Sequence, residues 1–573
     1  MSAAVKTDPH RTDPDVTPTL RGRLRKFCWR QLEQLSWVGL FCAGVFLAAS
    51  VTPSLLPRPY VVQGILSGFA IAAGYGIGVS GLWVWRFLEF RDVPCRLQKR
   101  VSAVLAILVT GLIVAVVCQM SFWQNSIRQL MQMEPLETAW PYRTLAIAIV
   151  FSLVIIGLSR VVIWCSARVS IRLRRYLPPK VAWVCTAVIM FFLLSALVNG
   201  VLLESLLNAA DESFAEIDEL IDTGVRQPDR PLASGAATSL IDWASIGRRG
   251  KLFIVDGPGQ QEIAEFTGQP AKEPLRIYVG YRSAEDEESR AALALEEMIR
   301  VGAFERSVLI VATPTGTGWL DPSAVDTVEY LHHGDTAIVS TQYSYLPSWL
   351  TIIGDPQSSR RSARALFDVV YEHWKTLPKD GRPRFFLHGL SLGSLGSEAC
   401  DDLFTIFEDP IDGAVRSGPP FPSTQWAELT ASRQPDSPAW RPVFRDSAMV
   451  RFTGQENVLD SGQRWGPIRS VYLQYASDPM VFFSEDLLLQ EPEWMSSPRG
   501  PDVSPELRWY PVVTFLQIAF DLPLATSVPI GYGHNYAPAH YIDAWVAVTE
   551  PDWSAEEIAR LKDHFRDRIP PGF

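Results

Sequence analysis

At 573 residues, 47% hydrophobic and 20% charged, the chain is too long for one ordinary domain and lies between soluble and membrane averages. The formal net charge of −10 conceals two unlike halves: apolar runs separated by basic residues up to about residue 203, then a mildly acidic mixture. Outside the apolar half no basic face is interleaved with aromatics, which argues against nucleic acid as a partner. Six of the seven cysteines (Cys28, Cys42, Cys95, Cys118, Cys165 and Cys185) lie in or beside the apolar runs, and only Cys400 falls in the second half. That arithmetic rules out a disulfide within the second half, and no Cys or His spacing offers a zinc site. Neither a metal nor a cofactor is expected.

In chain order, residues 1–34 read as a cytoplasmic segment, followed by a five-helix transmembrane region over 35–203. Its apolar stretches fall at 35–53, 60–85, 101–120, 144–165 and 181–203. Each approaches the roughly 20 residues that a helix needs to cross a ~30 Å hydrocarbon layer, the first being the shortest because Pro53 ends it. The basic residues alternate. Arg21, Arg23, Arg25, Lys26 and Arg30 precede the first stretch; Arg86, Arg91, Arg96, Lys99 and Arg100 follow the second; Arg168, Arg172, Arg174, Arg175 and Lys180 follow the fourth. The other two loops carry only Arg58, and Arg128 and Arg143 against Glu134 and Glu137. The positive-inside bias then puts the N-terminus in the cytoplasm and the C-terminal half outside it. Gly64, Gly68, Gly74, Gly76, Gly78 and Gly81 in the second stretch suit close helix packing in lipid better than a dinucleotide loop, because no strand precedes them.

Residues 204–250 read as an acidic stalk helix (204–221) and a Pro/Gly linker (227–237). From 251 to 573 short apolar runs alternate with helical stretches, the pattern of a mainly parallel sheet with crossovers. Strands are expected at 275–280, 307–312, 337–342, 384–388, 413–416 and 470–475, with helices at 285–300, 358–376 and 555–565. The Pro/Trp-rich stretch 419–469 is too long for a routine loop and is expected to cap the site.

Gly389-Leu390-Ser391-Leu392-Gly393 fits the nucleophile elbow G-x-S-x-G, in which a serine occupies a tight strand-to-helix turn that only small neighbours allow. The strand residues Phe385, Phe386 and Leu387 enter it. In an α/β-hydrolase the triad continues with an acid and then a histidine. His534, in the glycine-rich loop 531–536, is preferred over His540, while His564 in the terminal helix reads as exposed. Asp478, just after a strand, is preferred over Asp460, although an aspartate before Pro479 can also be a turn cap. Ser391 would attack an acyl carbonyl, His534 would carry the proton and Asp478 would hold the imidazole. The oxyanion requires two N–H donors: Leu392, and one of Thr315, Gly316 or Thr317 in the loop after the second strand. Tyr343, Tyr345 and Trp349 are candidates for an acyl pocket. His332-His333 and His388 read as loop and packing residues rather than a metal pair or a base.

With the apolar N-terminal half, Gly389–Gly393, Ser477-Asp478-Pro479 and Gly533-His534-Asn535-Tyr536, the chain resembles the actinobacterial membrane-anchored α/β-hydrolase family. The resemblance covers nearly all of it beyond the first ~30 residues and implies a serine hydrolase or an acyltransferase. The expectation is therefore a cell-membrane esterase or lipase, its catalytic domain extracytoplasmic, acting on acyl esters of envelope lipids. The alternatives are an acyltransferase with the same acyl-enzyme, or a non-catalytic envelope scaffold.

Overall fold

The computed structural model describes residues 35–91, 94–401, 409–566 and 568. The expectations for 1–34, including its basic cluster and its cytoplasmic side, lie outside the described residues. All five apolar runs are helical, but they are not equivalent. The first, α1 (Trp37–Ser50), has 14 residues and is capped where Ser36 Oγ accepts the Gly39 N–H. At 1.5 Å per residue it is only about 21 Å long, short of a ~30 Å hydrocarbon layer. The other four are long and apolar enough to cross a membrane: α2 (Tyr60–Phe87), α3 (Cys95–Leu130), α4 (Pro141–Leu173) and α5 (Pro179–Glu219). The expected stalk is helical over Glu204–Glu219, and a π-helical stretch at Ala196–Leu203 joins it to the apolar helix that begins at Pro179, so that the two form one rod.

The glycines of α2 do what close packing requires. A Cβ on Gly64 or Gly68 would come within 2.8 Å of Ile147 or Phe151 of α4, and one on Gly78 would lie 2.8 Å from Gly39 of α1. Gly76 and Gly81 face nothing within 4 Å. Outward-facing side chains remain apolar, Ile107, Leu158 and Phe191 being 72%, 62% and 65% exposed. Water covers such faces poorly; lipid covers them well.

The second half holds α6 (Arg248–Val255), α7 (Gln260–Thr267), β1 (Leu275–Val279), α8 (Glu287–Val301), β2 (Val308–Thr313), α9 (Pro322–Leu331) and β3 (Thr336–Thr341). Then follow α10 (Ser348–Gly354), α11 (Gln357–Thr376), β4 (Arg384–Leu390), α12 (Leu392–Glu398), β5 (Gly413–Ser417), α13 (Thr424–Ala431), β6 (Val450–Thr453) and β7 (Arg469–Leu473). The chain closes with α14 (Pro479–Phe482), α15 (Val513–Asp521), α16 (Pro538–Thr549) and α17 (Ala555–Arg566). The seven strands form one sheet in the order β1-β3-β2-β4-β5-β7-β6, with every neighbouring pair parallel. β1, β2, β3 and β5 are buried at every position, as strands covered by helices on both faces must be. The stretch 419–469 was expected to be a cap. Instead it carries α13 and the edge strand β6, which pairs with β7, and it contributes no residue to the cavity described below.

The apolar bundle and the sheet domain share a core. Leu55 and Leu56, in the turn between α1 and α2, are fully buried in a cluster with Phe482, Trp494, Ile518 and Val528 of the second half. Beside them Arg58 Nε bonds Asp521 Oδ1 at 2.7 Å, both side chains being essentially inaccessible. Asp521 Oδ2 also accepts the N–H groups of Leu55 (3.2 Å) and Leu56 (3.4 Å). Arg58 Nη1 donates to Gln63 Oε1, whose amide in turn donates to the Ser50 carbonyl. Burial pushes the Asp521 carboxyl up, and the adjacent guanidinium opposes that shift. Removing one member of such a pair strands a buried charge, at a cost of about 3–5 kcal/mol. Arg58→Met should accordingly lower the thermal transition of the full chain in detergent. Adding Asp521→Asn, whose amide oxygen still accepts from Leu55 and Leu56, should recover part of the loss; a double variant no more stable than the single would contradict this account.

Candidate active site

Ser391 stands between β4 and α12 with φ +58° and ψ −125°, a conformation that costs a residue with a Cβ about 1–3 kcal/mol. Its neighbours must be small. A Cβ on Gly389 would fall 2.1 Å from the Gly393 carbonyl oxygen, and one on Gly393 the same distance from the Thr313 oxygen. The Ser391 N–H donates to the Ser417 carbonyl of β5 at 3.0 Å, and Ser359 Oγ of α11 donates to the Leu392 carbonyl at 2.5 Å. The turn is thus held from both sides.

Asp478 follows β7 and is completely buried. Its two oxygens divide the work. Oδ1 accepts the Met480 N–H at 2.9 Å and so caps α14. Oδ2 accepts from His534 Nδ1 and from the Tyr536 hydroxyl, both at 2.6 Å. Turn capping and histidine binding, weighed as alternatives for this residue, are both present. The His534 loop is pinned as well. Its N–H donates to the Ala525 carbonyl at 2.8 Å, the Gly533 N–H donates to Ser477 Oγ at 2.9 Å, and Ser477 Oγ donates to Asp502 at 2.6 Å. The imidazole lies against Gly418, where a Cβ would come 2.5 Å from Cε1. With Nδ1 donating to Asp478, Nε2 is the ring atom free to accept a proton. Nε2 and Ser391 Oγ are both buried without a hydrogen-bond partner among the described residues, and both residues line one cavity of about 370 Å³.

The oxyanion candidates separate on inspection. Leu392 is the first residue of α12, where an N–H has no partner within the helix. The Thr315 N–H is spent on the Trp319 carbonyl at 2.9 Å, and the Gly316 N–H points to Ser348 Oγ at 3.3 Å. Thr315 and Thr317 line the cavity, their hydroxyls 3.4 Å apart, so the Thr317 N–H and these hydroxyls are the donors left to that wall. Of the pocket candidates only Trp349 lines the cavity. Tyr343 is buried against Leu392 and Leu395 and donates to the Pro314 carbonyl, supporting the loop after β2 from behind. Tyr345 packs edge-on against Tyr281. Met480 and the segment Leu522, Pro523, Ala525 and Thr526 form walls that no sequence pattern announced, and so does Arg249.

The five other histidines weighed in the sequence are otherwise engaged. His388 Nδ1 donates to the Val415 carbonyl at 2.8 Å, and burial pushes its pKa down to about 4. His540 Nδ1 accepts the Tyr475 hydroxyl at 2.6 Å and is likewise pushed by burial to about 4. His332 meets the Thr549 hydroxyl, and His333 stacks on Trp553. His564, expected to be exposed, is half-buried against Phe266 and Tyr330. Asp460 is exposed. No group of three or more His, Cys, Asp or Glu among the described residues could hold a metal ion.

Among known proteins, no curated sequence matches the chain. One solved structure with which it shares a likeness is a Trichoderma reesei cutinase in complex with a C11Y4 phosphonate inhibitor. That likeness is at 13% identity over 42% of this chain and 88% of the cutinase, with a TM-score of 0.19. Two family profiles match: an alpha/beta-hydrolase family N-terminus over residues 51–258, and the alpha/beta-hydrolase family itself over residues 275–561. With the second match covering half of its length, the chain belongs to the alpha/beta-hydrolase family.

Proposed function

We propose that the protein is a membrane-tethered serine esterase or lipase that cleaves acyl esters, with envelope lipids as substrates and Ser391, His534 and Asp478 as its catalytic groups. The observation that carries this reading is the pair of unpartnered buried atoms, Ser391 Oγ and His534 Nε2, on the wall of one cavity. As Oγ attacks the acyl carbonyl, Nε2 takes its proton, and the Asp478 carboxylate stabilises the imidazolium. The new oxyanion accepts from the Leu392 N–H and from the Thr315–Thr317 wall. Nε2 then returns the proton to the departing alcohol, and water attacks the acyl-serine by the reverse route. Tyr536, as the second donor to Asp478 Oδ2, helps hold that oxygen in place beside Nδ1.

The membrane part of the reading rests on which helix ends meet the hydrolase domain. The turn before α2 holds Asp521, and Ser126 near the end of α3 bonds Ser504 at 2.8 Å. The opposite ends of the bundle carry Arg86, Arg91, Arg96, Lys99 and Arg100 between α2 and α3, and Arg172, Arg174, Arg175 and Lys180 between α4 and α5. Under the positive-inside rule the basic ends face the cytoplasm and the hydrolase domain lies outside it.

A fluorophosphonate should label Ser391 in the purified protein, and Ser391→Ala should abolish the labelling; an unlabelled wild type would remove the catalytic reading. Asp478→Asn should lower kcat on a short-chain ester by about 10³-fold or more, with KM little changed, because the imidazole loses both tautomer control and charge compensation. A reporter that is active only outside the cytoplasm, fused after Phe573, should give signal. Signal from a cytoplasm-only reporter would reverse the orientation.

A further inference from the structure

α6 places two adjacent arginines in opposite circumstances. Arg248 makes a two-point bond to Asp222, Nε to Oδ2 at 2.7 Å and Nη2 to Oδ1 at 2.6 Å. Arg249 lines the catalytic cavity together with Thr315, Thr317 and Trp319, and it also lines a smaller neighbouring pocket with Asp256 and Asp326, to neither of which it is hydrogen-bonded. Its Nη1 is buried and has no hydrogen-bond partner among the described residues. The nearby carboxylates do not supply one. Asp222 is taken by Arg248, while Asp218 sits beside Gly247 and receives the Gln342 amide at 3.4 Å. A guanidinium has five donors and no acceptor, and it keeps its charge. To hold one partly dehydrated with donors unused is costly unless a ligand completes it. The other walls of the cavity, formed by Met480, Leu522, Pro523 and Ala525, suit an alkyl chain.

We infer that the cavity takes an acyl ester bearing an anionic group, a phosphate or a carboxylate, and that Arg249 is the residue that recognises this group while the acyl chain lies along Met480 and Leu522–Ala525. The inference rests on the ester-hydrolase reading of Ser391. It narrows the substrate from any ester to a charged amphiphile, and it places the discrimination on one side chain. A planar guanidinium binds carboxylate or phosphate oxygens in pairs, which gives orientation as well as affinity.

The test is protection of Ser391 against a neutral fluorophosphonate in the full chain in detergent. The competitors are dihexanoyl phosphatidic acid, dihexanoylglycerol and glycerol 3-phosphate. The wild type should be protected by the phosphatidic acid at a concentration at least about tenfold below that of the diacylglycerol, as expected for a charge-assisted contact. In Arg249→Gln the two lipids should protect at similar concentrations, and Arg249→Lys should keep part of the difference; a thermal scan of each variant shows that it is folded. Glycerol 3-phosphate protecting as well as the lipid would support the anion site with a soluble ester as its source; protection by the lipid alone would assign the source to the bilayer. Equal protection by both lipids in a labelled wild type, or a ratio unchanged in Arg249→Gln, overturns the inference and leaves the esterase reading standing. No labelling of Ser391 at all overturns both.

Discussion

Arg58 and Asp521 meet in a place where neither charge can be hydrated, and much of the molecule is arranged around keeping them together. Arg58 belongs to the turn between α1 and α2 of the apolar bundle, and Asp521 ends α15 of the hydrolase domain. The chain runs directly from Asp521 into Leu522, Pro523, Ala525 and Thr526, which wall the cavity that Ser391 and His534 line. The Ala525 carbonyl holds the His534 N–H, and a Cβ on Gly533 would come 3.3 Å from Leu56. A group in the bundle turn is therefore two short steps from the imidazole. Buried ion pairs add little net stability but penalise any arrangement that separates them. Here that penalty fixes the position of the bundle relative to the cavity wall.

The site itself is built by dividing single groups between two tasks. Asp478 caps a helix with one oxygen and holds His534 and Tyr536 with the other. Ser477, its neighbour in sequence, accepts the Gly533 N–H while donating to Asp502, so adjacent residues anchor the ring and the backbone of the same loop. Burial raises the Asp502 carboxyl, and the donors Ser477 and Gln455 work against that rise. Strain at Ser391 is tolerated because bonds from β5 and α11 hold the turn on either side. The positions of the two unpartnered atoms are thus set before any substrate arrives.

What could be read in the sequence followed from burial. Strands covered on both faces become continuous apolar runs, and six of the seven were legible for that reason. β6 was not, because Val-Arg-Phe-Thr alternates over only four residues, too short a run to stand out from the loops around it. Without β6, the Pro/Trp-rich stretch around it reads as an insertion too long for a routine loop, and hence as a cap. Glycine spacing betrayed the elbow, and chain order with loop composition singled out His534 and Asp478. Tyr343 and Tyr345 misled because an aromatic after a strand serves equally well as core or as pocket wall. Arg249 was illegible in principle. It differs from Arg248 only in which carboxylates are already occupied, and that is a three-dimensional fact.

The two segments that flank the cavity are also those that touch the apolar helices. On one side Phe520, next to Asp521, packs 5.6 Å from Phe69 of α2. On the other, Gly354 ends α10, which carries Ser348 and Trp349 of the cavity, and a Cβ there would lie 3.4 Å from Leu207 of α5. A soluble ester would need neither contact, since its route to Ser391 does not depend on where the bundle stands. For an amphiphile drawn from a bilayer the placement matters. Its chain must leave lipid and enter an apolar slot without crossing water, and each methylene exposed on the way costs about 0.8 kcal/mol. Walls braced on α2 and α5 keep that slot beside the helix ends, in the same cavity that Arg249 lines. On the proposed reading, four spanning helices are thus a means of presenting the cavity to lipid at a fixed height, and a simple tether would not provide that.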